Sequence, residues 1–315
     1  MNISKARYTL AALSAALLLT AGCSGSGPGD KTGSISLGIS DHPMHDATKV
    51  CIAFTEVELK PKEGPPIMAE PFMEATSNIN VLDFQGMNAA PLLMNFELPA
   101  GELEWIRLGV NAVRGGMGGF DENGVPDTDA LGPCLGDESY VMMGGLDGLD
   151  GITNNLYIPS GAQSGLKLHG DIIIPNGGAA DFTAEIDLMK SIASPAGLEP
   201  DRIFRPTIRL ENNLEVGALT GQVIDLVVDG CAPSVFIFED DDMDAPLDVT
   251  NSLTSAMVNE QINDVGMTEY HYTFGFLPGG DYEIAFSCDD GLNLNPPNGK
   301  LAMAVVGEVA EVDLP

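Results

Sequence analysis

The sequence predicts an all-β protein: two β-sandwich domains behind a signal peptide and a flexible tether. Three observations carry this. From Gly33 onward the chain runs in short segments of alternating apolar and β-branched residues. Gly, Pro, Asn and Asp interrupt these segments about every ten residues, the spacing of turns between strands. Stretches with helical periodicity are scarce, the two candidates being ATSNINVLDF around Val81 and TSAMVNEQI around Met257.

The N-terminus has its own logic. Lys5 and Arg7 precede a run from Tyr8 to Gly22 without charge, which closes as LLTAGC before SGSGPGD. A basic start, a short apolar stretch and small residues at the cleavage point make a secretory signal, and the stretch is too short for a stable bilayer span. Cys23, first after cleavage, resembles the lipobox cysteine of bacterial lipoproteins, with Thr20 where Leu is usual. The resemblance implies a diacylglyceryl thioether on Cys23 and acylation of the new amino terminus, enough acyl chains for near-permanent anchorage. Ser24 after that cysteine resembles lipoproteins sent to the outer membrane. Thr20 and Gly22 also suit ordinary signal peptidase, which would leave a freely secreted protein. Residues 23–32 read as an acylated tether of Gly, Ser and Pro.

The strand segments follow in order: GSISLGI, VCIAFTEVEL, WIRLGVNAV, GLKLHGDIII, DFTAEIDLM, PTIRLE, GALTGQVIDLVV, SVFIFED, YHYTFGF, DYEIAFSC and KLAMAVVGEVAEVDL. In VCIAFTEVEL the apolar positions are Val50, Ile52 and Phe54, then Val57 and Leu59, so the phase flips and a bulge is expected near Thr55. Alternation puts Ile106, Leu108 and Val110 on one face of their strand and Trp105 and Arg107 on the other. The chain divides near Asn212–Val216 into a unit over 33–215 and a second over 216–315. In the second, LPGGDYEIAF places Gly279 and Gly280 in a turn before a strand with Tyr282, Ile284 and Phe286 on one face. That phrase is similar to one in transthyretin-like and carboxypeptidase-regulatory-like sandwiches, and implies a fold without an activity.

Residues 33 to about 215 resemble the bacterial lipoprotein family catalogued as domain of unknown function 4382. The resemblance rests on GSISLGISDHPMHDATKVCIAFTEVEL, on LPAGELEWIRLGV, and on YIPSGAQSGLKL followed by AEIDLMKSI. Pro159, Ser160, Gly161, Gln163, Ser164, Gly165, Lys167 and Leu168 stand in the family's spacing; Leu103 and His42 depart from it. The family implies an envelope lipoprotein with a β-rich domain and no established chemistry.

The formal charge is −32; without Lys5 and Arg7, 12 basic and 46 acidic side chains remain, a net of −34. Such a field repels nucleic acid and anionic headgroups, so membrane attachment would come from the acyl chains alone. With Cys23 committed to lipid, Cys51, Cys134, Cys231 and Cys288 form an even set in an exported protein. Disulfides are expected, and pairing Cys51 with Cys134 and Cys231 with Cys288 keeps each bond within one domain, among three possible connectivities.

Several constellations invite a chemical reading. Asp41, His42, His45 and Asp46 are metal-ligand types in one loop, or a turn in which Asp41 binds local N–H groups. Asp121, Asn123, Asp127 and Asp129, and separately Glu239, Asp240, Asp241, Asp242 and Asp244, carry the oxygen density calcium needs, but neither follows the EF-hand pattern. Calcium is therefore the one cofactor these residues suggest, against solvated acidic turns. Ser160 or Ser164 with His169 and Asp187 lacks the nucleophile-elbow context, and Ser160 and Gln163 fit loop capping better. Lys167 is expected to pair with a carboxylate across the sheet. The reading that results is a non-catalytic outer-membrane lipoprotein, a binding or structural module whose partner is an envelope glycan or protein. A calcium-dependent adhesin or glycan-binding protein is the alternative, and a carboxylate-based glycosidase the third.

Overall fold

A computed structural model describes residues 31–42, 44, 47–69, 77–144, 152–159, 164–193, 201–224, 226, 233–239, 246–289 and 291–315. The expected signal peptide, Cys23, most of the expected tether, His45, Asp46, Ser160, Gln163, Cys231 and Asp240, Asp241, Asp242 and Asp244 lie outside them. Among the described residues no helix is long and apolar enough to cross a membrane.

The chain is all-β, in two pairs of sheets. In the first pair, one sheet has the order β14 (Thr207–Asn212), β11 (Ala179–Asp187), β1 (Thr32–His42), β5 (Ala90–Pro99). The facing sheet runs β10 (Ile172–Ile174), β6 (Gly101–Val110), β2 (Ala47–Pro61), β7 (Tyr140–Met143), β8 (Ile152–Tyr157), β13 (Arg202–Phe204), β12 (Ile192–Ala193). To it are added β3 (Ile67–Met68) and β4 (Ser77–Asn80) on β2, and β9 (Leu166–Leu168) on β6. The second pair consists of β18 (Asn259–Ile262), β19 (Thr268–Pro278), β15 (Val216–Gln222), β22 (Val309–Glu311), and of β17 (Thr254–Met257), β16 (Ser234–Glu239), β20 (Gly280–Ser287), β21 (Asn295–Ala304). Every pairing between these strands stays within Thr32–Asn212 or within Val216–Glu311.

Each pair encloses its own apolar cluster. In the first, Ile35, Leu37 and Ile39 of β1 and Phe182, Ala184 and Ile186 of β11 face Ile52, Phe54, Val57 and Leu59 of β2 and Ile106 and Leu108 of β6. The change of phase in β2 is a bulge at the expected place: Phe54 pairs with Val110 and Glu56 with Gly109, leaving Thr55 unopposed. Gly109 is required there, since a Cβ would lie 2.4 Å from both Thr55 Oγ1 and Glu56 Cγ. The second cluster gathers Leu219, Val235, Ile237, Phe274, Tyr282, Ile284 and Phe286. The LPGGDY phrase is the crossing between its sheets: β19 ends at Pro278, β20 begins at Gly280 in the opposite sheet, and Tyr282 Oη donates to the Pro278 carbonyl at 2.8 Å.

Two helical expectations are corrected. Residues around Met257 form β17 and β18, because Thr254, Ser255 and Ala256 are all buried and pair with β16. Around Val81 only one 3-10 turn forms, Val81–Asp83, directly after β4. In GALTGQVIDLVV the described strand is Val216–Gln222. A short helix, α1 (Leu188–Ser191), follows β11, capped by Asp187.

Candidate functional site

The outer face of the first sheet carries a charged cluster that strand register assembles. Since Ile35, Leu37 and Ile39 point into the core, Ser40 and His42 point the other way, as do Thr183, Glu185 and Asp187 of β11. Register places Ser40 opposite Glu185 and Glu185 opposite Arg209, and in the next row His42 opposite Asp187 and Asp187 opposite Thr207. An exposed sheet face would leave these residues in water. Here the first lobe's own 84–88 segment and the second lobe lie over this face, and Ser40, His42, Glu185 and Asp187 are 0, 3, 2 and 5% exposed.

Two contacts close the joint. Lys190 of α1 donates through Nζ to the Ser252 carbonyl and, at 3.4 Å, to that of Leu253, and lies 3.3 Å from Asp187 Oδ2. Gly275 of β19 meets Gly86 so closely that a Cβ would stand 2.1 Å from the Gly86 carbonyl oxygen.

Burial dominates the electrostatics of the cluster. It drives His42 down to about 3, helped by the cations Arg209 and Lys190, so the imidazole is neutral. It raises Glu185 to about 8; Arg209 opposes the shift, and Glu211 and Asp187 add to it. Asp41, held by backbone pairing beside Gln85, is raised well above the usual carboxylate range by burial, then by Asp187 and Glu185. The Arg209 guanidinium contacts Glu185 and reaches Glu211 Oε1 at 3.1 Å, while His42 Nε2 lies 3.8 Å from Glu185 Oε1. A neutral imidazole beside a weakly acidic carboxyl has the ingredients of an acid–base pair. The open cleft alongside, about 480 Å³, is lined instead by Lys190, Arg209, Phe238, Leu247 and Glu283. His42 and Asp41 border a separate groove of about 330 Å³ with Gly86, Met87, Ala256 and Thr273.

In the acidic loop the carboxylates are held by backbone N–H groups and by one buried cation. Asp121 Oδ1 accepts the N–H groups of Asn123 and Val125, both at 2.8 Å, and Asp129 Oδ1 accepts that of Leu131. Asp127 turns inward to Lys49 Nζ at 2.8 Å, Tyr140 Oη at 2.6 Å and the Asp129 N–H at 3.0 Å. Burial pushes Asp127 up, but the bonds from Lys49 and Tyr140 outweigh it and hold the carboxyl below its usual range. Among the described residues no group of three His, Cys, Asp or Glu could hold a metal ion.

The other expectations can be placed in turn. Cys51 and Cys134 are joined, with Cα atoms 5.9 Å apart. Cys288 is also disulfide-bonded, its expected partner Cys231 being outside the described residues. His169 is exposed whereas Asp187 is buried in the joint, and no hydrogen bond links them. Among the described residues Lys167 pairs with no carboxylate; its Nζ lies 4.6 Å from the centre of the Trp105 ring. Arg107, opposite Lys167 in the register, already holds Glu56 at 2.9 Å and Glu58 at 2.6 Å. Sequence reasoning named Asp41 and His42 but missed Glu185, Arg209, Lys190 and Lys49. Charged residues on alternate strand positions signal an outward face, and nothing local tells that another lobe will cover it.

A family model described as a domain of unknown function (DUF4382) matches residues 32–206. No curated protein matches the chain. Among solved structures, the Bacillus anthracis TIE protein aligns at 10% identity and a TM-score of 0.19, over 90% of this chain and 34% of that one. The chain thus spans about a third of that protein's length. The minor pilin GBS52 of Streptococcus agalactiae aligns at 10% identity and a TM-score of 0.19, over 89% of this chain and 94% of that one.

Proposed function

This chain belongs to the DUF4382 family, and from that premise we propose that it is a non-catalytic binding or structural module of the bacterial cell envelope, held by acyl chains on Cys23 at the outer membrane. One observation supports the non-catalytic part most strongly. Asp41, His42 and Glu185, whose acidities depart far from normal, are 1, 3 and 2% exposed. Structural ion-pair networks perturb acidity as catalytic centres do, and burial this complete favours the structural role. In this protein the cluster fastens one sandwich to the other. The anchor draws its support from the sequence, in the charge-free run before Cys23 and the Gly-Ser-Pro tether behind it.

Two experiments test the parts separately. Metabolic labelling with a palmitate analogue should mark the wild type and leave Cys23→Ser unmarked; an unlabelled wild type recovered from the culture fluid contradicts the anchor. A panel of envelope and algal polysaccharides should show no turnover, and turnover that Glu185→Gln abolishes would overturn the non-catalytic reading.

A further inference from the structure

In the first sandwich a hollow of about 410 Å³ lies between the end of β8, the start of β9 and the corner joining β13 to β14. Ile158, Leu166 and Phe204 form its buried floor, and Pro206 and Ile208 its partly exposed wall. Two cations rim it, Lys167 and Arg205, and among the described residues no acidic one lines it.

That composition runs against the rest of the chain, in which 46 acidic side chains face 14 basic ones. Six of the described cations are spent: Lys49, Lys60, Lys62, Arg107, Lys190 and Arg209 all contact carboxylates. Lys167 and Arg205 contact none among the described residues. Each side chain is exposed. Lys167 lies over Trp105, and the Arg205 backbone N–H donates to the Ser191 carbonyl at 2.8 Å, fixing the corner that carries it. An apolar floor with convergent polar groups at its rim is the usual make-up of a small-molecule site. Two unpaired cations over apolar walls complement an anionic head on an apolar body.

We propose that this hollow binds an anionic amphiphile, a carboxylate on a medium-length hydrocarbon chain, with the head between Arg205 and Lys167 and the chain against Leu166, Phe204 and Ile208. The inference stands apart from the anchor and from the joint.

Calorimetric titration of the purified protein with decanoate tests it, with decanol and acetate as probes lacking one half of the ligand. Decanoate should bind saturably below about 1 mM, and decanol and acetate at least about tenfold more weakly. Arg205→Glu should weaken decanoate by about tenfold or more. Arg114→Glu makes the same charge change at an exposed site that does not line the hollow and should leave binding unchanged. Equal binding of decanol and decanoate, an equal effect of the two substitutions, or no saturable decanoate binding below about 1 mM would each overturn the proposal.

Discussion

Lys49 and Asp127 form an ion pair of 2.8 Å with side chains 0 and 3% exposed, 78 residues apart in the chain. Cys51, two positions from Lys49 on β2, joins Cys134 in the same excursion. Together they tie the long segment between β6 and β7 over the outer face of β2, with Asp127 as a peg and the disulfide as a clasp. The pair predicts an asymmetric mutational response. Lys49→Met leaves a buried carboxylate without its counter-charge and should destabilise by about 3–5 kcal/mol, whereas Lys49→Met with Asp127→Leu should recover most of that. Urea denaturation reads both; a loss below about 1 kcal/mol in the single variant would contradict the assignment.

The disulfide closes a separation of 83 residues. On the chain-entropy account, Cys51→Ala with Cys134→Ala should cost about 4 kcal/mol, mostly by freeing the unfolded chain. Limited proteolysis should then cut first between residues 111 and 139, where the double variant has lost its covalent clasp. First cleavage elsewhere would show that the segment is held by other means.

The joint makes stability depend on pH in two opposed ways. Glu185 has its pKa raised from 4.5 to about 8, so the stability linked to its protonated form is fully present below 4.5 and is lost as pH rises through about 8. Asp41, raised for the same reason, adds to that loss from 3.8 upward. His42, lowered from 6.5 to about 3, acts in the other direction: stability is fully present above 6.5 and is lost as pH falls toward 3. Between 4.5 and 6.5 the two acids outweigh the one imidazole, which places the cluster's optimum near pH 4. Glu185→Gln should flatten the decline between 4.5 and 8 by up to about 1.4 kcal/mol per pH unit. Melting temperatures of wild type and variant across this range check it, and parallel profiles would refute it.

How much of this was written in the sequence depends on whether the signal is local. The bulge at Thr55 was legible because an extra residue shifts the apolar phase from Val50, Ile52 and Phe54 to Val57 and Leu59, and that phase is sequence itself. Ile106 and Leu108 were legible for the same reason. The segment around Met257 misled because a few apolar residues in a short stretch fit one helical turn as well as a strand, and pairing with β16 decides it. Asp127 looked like its neighbours Asp121 and Asp129, and only the distant Lys49 and Tyr140 distinguish it. Glu185 and Arg209 read as an ordinary outward face for want of any local sign that a second lobe covers them.

Lys190 carries charge across the joint through the Ser252 and Leu253 carbonyls. Lys190→Met removes those bonds and should cost about 1–3 kcal/mol, a hydrogen-bond contribution from a charged donor. Hydrogen exchange should show the loss at β17 and at the 3-10 turn Val249–Asn251, beside the carbonyls released. Unchanged protection there would remove Lys190 from the joint.

The enclosed joint is best tested through Gly275, whose Cβ position falls 2.1 Å from the Gly86 carbonyl oxygen across the two lobes. Differential scanning calorimetry near pH 5 should give one cooperative transition for the wild type and two separated ones for Gly275→Ala, because the added methyl forces the sandwiches apart and lets water reach His42 and Glu185. Two transitions in the wild type, or one unchanged transition in the variant, would contradict a joint that seals the cluster.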